Sequence, residues 1–177
     1  MKRTFIFSLC VSAILAISMT SCEWFESMFD FSFTTGYEEI PFTVDPSNAG
    51  EYTFVEELMQ SELEAEIEEN GGDISNLKDV TIKEAVLEVL TPGQNLDAFE
   101  WIEVYVSTQN HSDILVGSVQ NISNGLLSVD LELTDESLKE ILQEEEYIVT
   151  VIGSLGEDLL VEVDLVVKVK YEVEVGA

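Results

Sequence analysis

Thirty-six carboxylates, one histidine and two cysteines are the side chains from which this 177-residue chain could build chemistry. A pair of acids is the first possibility, since one can protonate a leaving group while the other attacks or activates water. Glu56-Glu57 and Glu144-Glu145-Glu146 supply neighbouring acids, but adjacency in sequence fixes neither the separation nor the burial such a reaction needs. His111, the sole histidine, sits in Gln109-Asn110-His111-Ser112-Asp113, a polar stretch that reads as a solvated loop. There is no Gly-x-Ser-x-Gly nucleophile elbow and no glycine-rich phosphate loop. Asp45-Pro46-Ser47-Asn48-Ala49-Gly50, followed by Glu56, echoes a calcium loop with oxygen ligands at positions 1 and 3, Gly at 6 and Glu at 12. Ala49 removes the ligand at the fifth position, so Asp45, Ser47 and Glu56 make only a weak candidate for Ca2+, and a turn is the simpler reading. No other cofactor is implied. Trp101 and Tyr105 fall on the same side of an alternating run, opposite Ile102, Val104 and Val106, and form the candidate ligand-binding pair.

The amino terminus carries a different chemistry. Met1-Lys2-Arg3 is a short basic start, and Phe5 to Met19 is almost continuously apolar. That stretch is short for a permanent membrane span and sits where a secretion signal would. It runs into Met19-Thr20-Ser21-Cys22, which resembles the lipobox of bacterial lipoproteins, departing from it at Met19, where leucine is commonest. The resemblance implies a leader over 1–21, lipid on Cys22, and a short tether over 22–30. It also implies a lipid-anchored protein of the bacterial cell envelope, at the outer membrane, facing the periplasm or the cell surface. Several acyl chains exceed the marginal hold of one, at about 0.8 kcal/mol per buried CH2. Loss of the leader removes Lys2, Arg3 and Cys10, leaving five lysines against 36 acids, a formal charge of −31, and no arginine. No disulfide or free thiol then remains. A charge of this sign excludes nucleic acid as a partner. Its spread over loops and polar faces points to a general surface property.

The elements that must position these residues follow from periodicity. Phe29, Phe31 and Phe33 alternate as a first strand, and Phe42-Thr43-Val44, between Pro41 and Pro46, suits an edge strand. Residues 53–69 repeat Val55, Met59, Leu63 and Ile67 every four positions behind Thr53 and Glu56, which predicts a helix stopped at Asn70-Gly71-Gly72. Period two takes over from Val80, with a slip near Ala85 that suggests a bulge. Strands are expected at 101–107, 115–119, 127–133, 147–152 and 161–175, with a turn at 153–158 and a short helix at 135–143. Many half-apolar strands need a covering layer. The expected fold is therefore mainly β: one antiparallel β-sandwich over 31–177, immunoglobulin-like or jelly-roll-like, with one or two short helices.

The order from the aromatic strand through Leu77-Lys78-Asp79-Val80-Thr81-Ile82, Ile102-Glu103-Val104-Tyr105-Val106 and Leu131-Glu132-Leu133-Thr134 to the closing valine strand resembles small envelope lipoproteins of Bacteroidota-type bacteria. That resemblance implies a β-sandwich without an assigned activity. The leading expectation is a noncatalytic, membrane-anchored lipoprotein, a structural or binding module rather than an enzyme. It predicts no deep polar cleft and no cluster of strongly shifted titrating groups. The alternatives are a carbohydrate- or protein-binding accessory module, a two-carboxylate hydrolase and a pilin-like subunit. The expected partners are membrane lipid, through the acylated cysteine, and a glycan or envelope protein.

Overall fold

Alternating runs become strands throughout residues 30–176, the part of the chain that the structure, a computed structural model, describes. In chain order these are β1 (Phe31–Thr34), β2 (Glu38–Val44), β3 (Gly50–Gln60), helix α1 (Leu63–Glu69), a 3-10 turn (Ile74–Asn76), β4 (Leu77–Val89), β5 (Phe99–Ser107), β6 (Ile114–Gln120), β7 (Ser128–Asp130), β8 (Glu132–Leu133), helix α2 (Lys139–Leu142), β9 (Glu146–Leu155) and β10 (Val163–Val175). Every strand pair is antiparallel. One sheet has the order β1-β10-β4-β7, with β2 also on β10; the other has the order β3-β9-β5-β6-β8. From β2 onward the chain passes repeatedly between the sheets, placing β2-β10-β4-β7 opposite β3-β9-β5-β6. This is the jelly-roll form of the expected sandwich.

The valine strand organises the first sheet. Leu165, Val167, Val169, Val173 and Val175 of β10 are buried in the same core as Ile102 and Val104 of β5 and Val149 and Val151 of β9. Each such side chain contributes about 1.5–3 kcal/mol relative to exposure. The outer side of β10 is charged, and Lys168 and Lys170 pair with Glu88 at 2.6 Å and Glu84 at 3.4 Å on β4. The expected bulge lies at Lys83, where β10 shifts register against β4 between Lys170 and Tyr171.

The helix expected over 53–69 is mostly strand. β3 pairs with β9 along its length, and helix begins only at Leu63. Spacing by four is a multiple of two as well as close to a helical turn, so Val55 and Met59 fit either element. Tyr52-Thr53-Phe54-Val55 is rich in aromatic and β-branched residues, which favour a strand with a partner beside it. A register shift between Thr53 and Val55 leaves Phe54 and Val55 both half-buried. The stop at Asn70-Gly71-Gly72 does end α1, with Gly71 at φ +85° and the Gly72 N–H donating to the Ile67 carbonyl.

Three smaller expectations also shift. The run from Leu127 to Leu133 is not one strand. β7 lies in one sheet and β8 in the other, Leu131 is buried between them, and Leu127 and Leu133 are exposed. The helix expected over 135–143 shortens to α2 because the Leu138 N–H donates to the Val80 carbonyl, holding the preceding segment on β4. The turn expected from residue 153 begins later, because Gly153, Ser154 and Leu155 still pair with β3 and β5.

Candidate functional site

The edge strand beside β10 is broken, and the break opens a recess. Thr34 pairs with Glu172 and Glu38 with Val169, so Thr35, Gly36 and Tyr37 stand against only Lys170 and Tyr171. The Thr35 side chain repairs the ladder, its Oγ1 accepting from the Tyr171 N–H at 3.0 Å while its own N–H donates to the Tyr171 carbonyl at 3.0 Å. Tyr37 folds outward under Lys170, whose Nζ lies 3.8 Å from the ring centroid. The Tyr37 hydroxyl donates to Glu84 and, with help from Lys170, holds that carboxyl below its usual range.

The facing wall is the corner between β3 and α1. Ser61 fixes it, its hydroxyl donating to the Leu142 carbonyl at 2.7 Å and its N–H to the Glu145 carbonyl at 3.0 Å. Gln60 is held by the Glu146 carboxylate at 2.8 Å. Glu62 precedes α1 without capping it through its side chain, so its carboxylate stays available. Met59, Leu63 and Leu142 add an apolar surface. The recess so enclosed holds about 410 Å³.

Its inner end is a phenol–carboxylate cluster. Tyr147 is 1 % exposed and Tyr171 6 %. The Tyr147 hydroxyl donates to Glu38, and Tyr171 lies close enough to feel the Glu38 charge and the Tyr147 phenol. Burial first, then the Glu38 charge, pushes both phenols upward, so they remain protonated donors. Glu66 on α1 is raised as well, by burial first and then by the charges of Glu38, Glu62 and Glu69. Among the described residues no lysine lines the recess. The leading reading expected no deep polar cleft and no cluster of strongly shifted titrating groups; the recess gathers three shifted groups, Tyr147, Tyr171 and Glu66, and corrects that expectation.

Glu66→Gln should therefore stabilise the protein at neutral pH. A raised folded-state value means that the contribution of protonated Glu66 is complete below about pH 4.5 and lost as pH rises through the folded value. Melting temperatures should show the variant above the parent at pH 7, with the gap closing in acid.

Trp101 and Tyr105 share one side of β5, away from the recess. Both are half-buried on the outer side of β5, while Ile102, Val104 and Val106 are buried within. Four residues of strand separate them by about 13 Å. The Tyr105 hydroxyl donates to Glu103 at 2.7 Å between them, and that bond, more than burial, raises the phenol. Asp45, Ser47 and Glu56 do not form a helix-closed loop. The Ser47 hydroxyl donates to the Asp45 carbonyl and its backbone pairs with Leu159, whereas Glu56 stands in β3 opposite Thr150. Six residues of extended chain carry Glu56 about 20 Å beyond Gly50. Among the described residues no group of three or more His, Cys, Asp or Glu could hold a metal ion. His111 lies in the β5–β6 loop between Glu140 at 3.4 Å and Glu144 at 3.5 Å. Cys22 and the leader lie outside the described residues, and no described helix is long and apolar enough to cross a membrane.

The recess residues carried one signal in the sequence. Glu38 shares its parity with Ile40, Phe42 and Val44, and Tyr147 and Tyr171 share theirs with buried valines. Three polar groups thus stood on core-facing positions, though only strand order shows that they meet.

Comparison of the sequence with protein families and with curated proteins finds no match. Solved structures show likeness at low identity. The decameric BFDV capsid protein is 11 % identical over 82 % of this chain and 99 % of its own, with a TM-score of 0.41. The infectious bursal disease virus VP2 subviral particle is 11 % identical over 84 % of this chain and 33 % of its own, at 0.39. The GH31 CBM32-2 module bound to GalNAc is 11 % identical over 76 % of this chain and 93 % of its own, at 0.31.

Proposed function

We propose that the protein is a noncatalytic binding module, lipid-anchored through Cys22 in the bacterial envelope at the outer membrane, and that its recess takes the end of a neutral glycan. The observation that carries this is the recess itself: a concave site of about 410 Å³ in which hydrogen-bonding groups converge beside an apolar wall. Free carboxylate oxygens on Glu62 and Glu66 accept from ligand hydroxyls, and Gln60 offers an amide. Met59, Leu63 and Leu142 suit the C–H face of a sugar ring. Uncompensated negative charge disfavours phosphorylated, sulfated or uronic ligands.

The cluster suits binding better than hydrolysis. Glu38 accepts from the Tyr147 phenol, which stays protonated, so that oxygen is occupied rather than free to orient an attacking water. Trp101 and Tyr105 provide a second, flatter platform, long enough to support a bound strand by stacking.

Two experiments test the two halves of the proposal. Calorimetric titration with neutral oligosaccharides should give binding that Glu62→Ala weakens at least tenfold, while charged sugars bind worse. Equal affinity in the parent and the variant counts against the recess. Cys22→Ala should abolish incorporation of labelled fatty acid and release the protein from membranes; unchanged partitioning overturns the anchor.

A further inference from the structure

Four strands of the first sheet reach the same end of the sandwich side by side. Val163 pairs with Val44, Leu165 with Val89, and Leu87 with Val129, so β2, β10, β4 and β7 finish or start within a residue or two of one line. Just beyond that line stand Leu90 (49 % exposed), Leu127 (60 %), Leu160 (83 %) and Val161 (47 %). The row is one of chain positions: Leu90 follows β4, Leu127 precedes β7, and Leu160 and Val161 lead into β10, on neighbouring strands about 4.8 Å apart.

Their positions are fixed by backbone bonds. The Leu90 N–H donates to the Asp164 carbonyl at 2.8 Å, and the Val89 N–H to the Leu127 carbonyl at 2.8 Å. Leu159, next to Leu160, exchanges bonds of 3.0 and 2.8 Å with Ser47. Exposed leucines held this way contribute little to folding.

The charge around the row has one sign. Asp45, Asp97, Glu157, Asp158, Glu162 and Asp164 lie in or beside the same loops. All five lysines of the described chain are elsewhere, on β4, α2 and the later part of β10. The chain enters at the opposite end, where Phe31 pairs with Val175, about 40 Å away along β10.

We infer that this end is a docking surface for a protein partner presenting an apolar centre ringed by lysine or arginine. Apolar contact supplies the binding, and the acidic rim selects a basic partner and speeds encounter. The same rim disfavours a second copy of this chain, which would bring like charges together, and an anionic bilayer for the same reason. The surface is independent of the glycan recess and does not require it.

The test uses the purified protein and two synthetic helical peptides of equal positive charge, one pairing lysine with leucine and the other lysine with serine. Fluorescence anisotropy should show tighter binding of the lysine–leucine peptide, weakened at least tenfold by Leu90→Ser/Leu127→Ser/Leu160→Ser and weakened again by high salt. The lysine–serine peptide should bind weakly and equally to parent and variant. Circular dichroism should show the variant folded, since all three positions are exposed. The inference is overturned if the triple substitution leaves lysine–leucine binding unchanged. It is equally overturned if the row is needed for self-association in sedimentation, or for binding zwitterionic vesicles, instead.

Discussion

Above pH 10 the protein should lose stability through two buried tyrosines. Both Tyr147 and Tyr171 have folded-state values above the ordinary phenol value, because burial and the Glu38 charge oppose a phenolate. The sign follows from which state holds the protons. Below about pH 10 both states hold them and the contribution is complete; above it the unfolded chain releases two protons that the folded protein keeps. Each retained proton costs about 1.36 kcal/mol per pH unit, so the limiting slope is about 2.7. Surface groups with raised values, Tyr105 and Lys168 among them, act in the same direction. The variants isolate the buried pair: Tyr147→Phe or Tyr171→Phe should each lower the slope in urea melts at successive pH values, and the double variant should lower it furthest, leaving only the smaller contribution of the surface groups. A slope unchanged in the double variant would place the alkaline loss elsewhere.

Gly153→Ala should destabilise the protein by about 3 kcal/mol, the upper end of ordinary overpacking. A Cβ built on Gly153 falls 2.5 Å from the Trp101 carbonyl oxygen, 2.7 Å from the Phe54 ring and 3.1 Å from Ile102. The ring can turn, but the carbonyl belongs to β5 in the middle of the sheet and can move only with its neighbours. The sheet must therefore spread between β9 and β5. Gly153 lies beside Tyr52 of β3 and Ile102 of β5 in the register, so the disturbance reaches both neighbouring strands. Gly36→Ala is the control, because a Cβ there meets nothing within 4 Å. Comparable destabilisation by both substitutions, measured in denaturant, would show that close approach at Gly153 is not the cause.

The same residues show what can be read in a one-dimensional string and what cannot. The closing strand was legible because Val163 to Val175 alternates with Val166 as its one apolar intruder, and a strand so patterned must lie over a core. The sandwich followed from the number of such strands. β3 was not legible: its apolar residues recur every four positions, a spacing common to both periods, and β9 beside it decides between them. Leu127 to Leu133 kept its alternation while crossing from one sheet to the other, something that period alone does not register.

The site divides in the same way. Trp101 and Tyr105 lie on one strand, so parity placed them together. The recess joins Glu38 of β2, Glu62 and Glu66 around α1, Tyr147 of β9 and Tyr171 of β10, brought together by sheet order and by the extra residue in the broken edge strand. The spacing of the calcium echo shows the same limit. Its twelve-residue count presumed a helix, and the chain extends instead.

Glycan binding in the recess is tested most directly by following backbone amide resonances of the purified protein during titration with neutral oligosaccharides. The parent should show saturable shifts at Glu38, at Gln60 to Glu66 and at Leu142. Met59→Trp, which fills the hollow, should abolish them while leaving the rest of the spectrum in place. Shifts confined to Trp101 and Tyr105, or glycan binding that survives Met59→Trp, would contradict a recess-bound ligand.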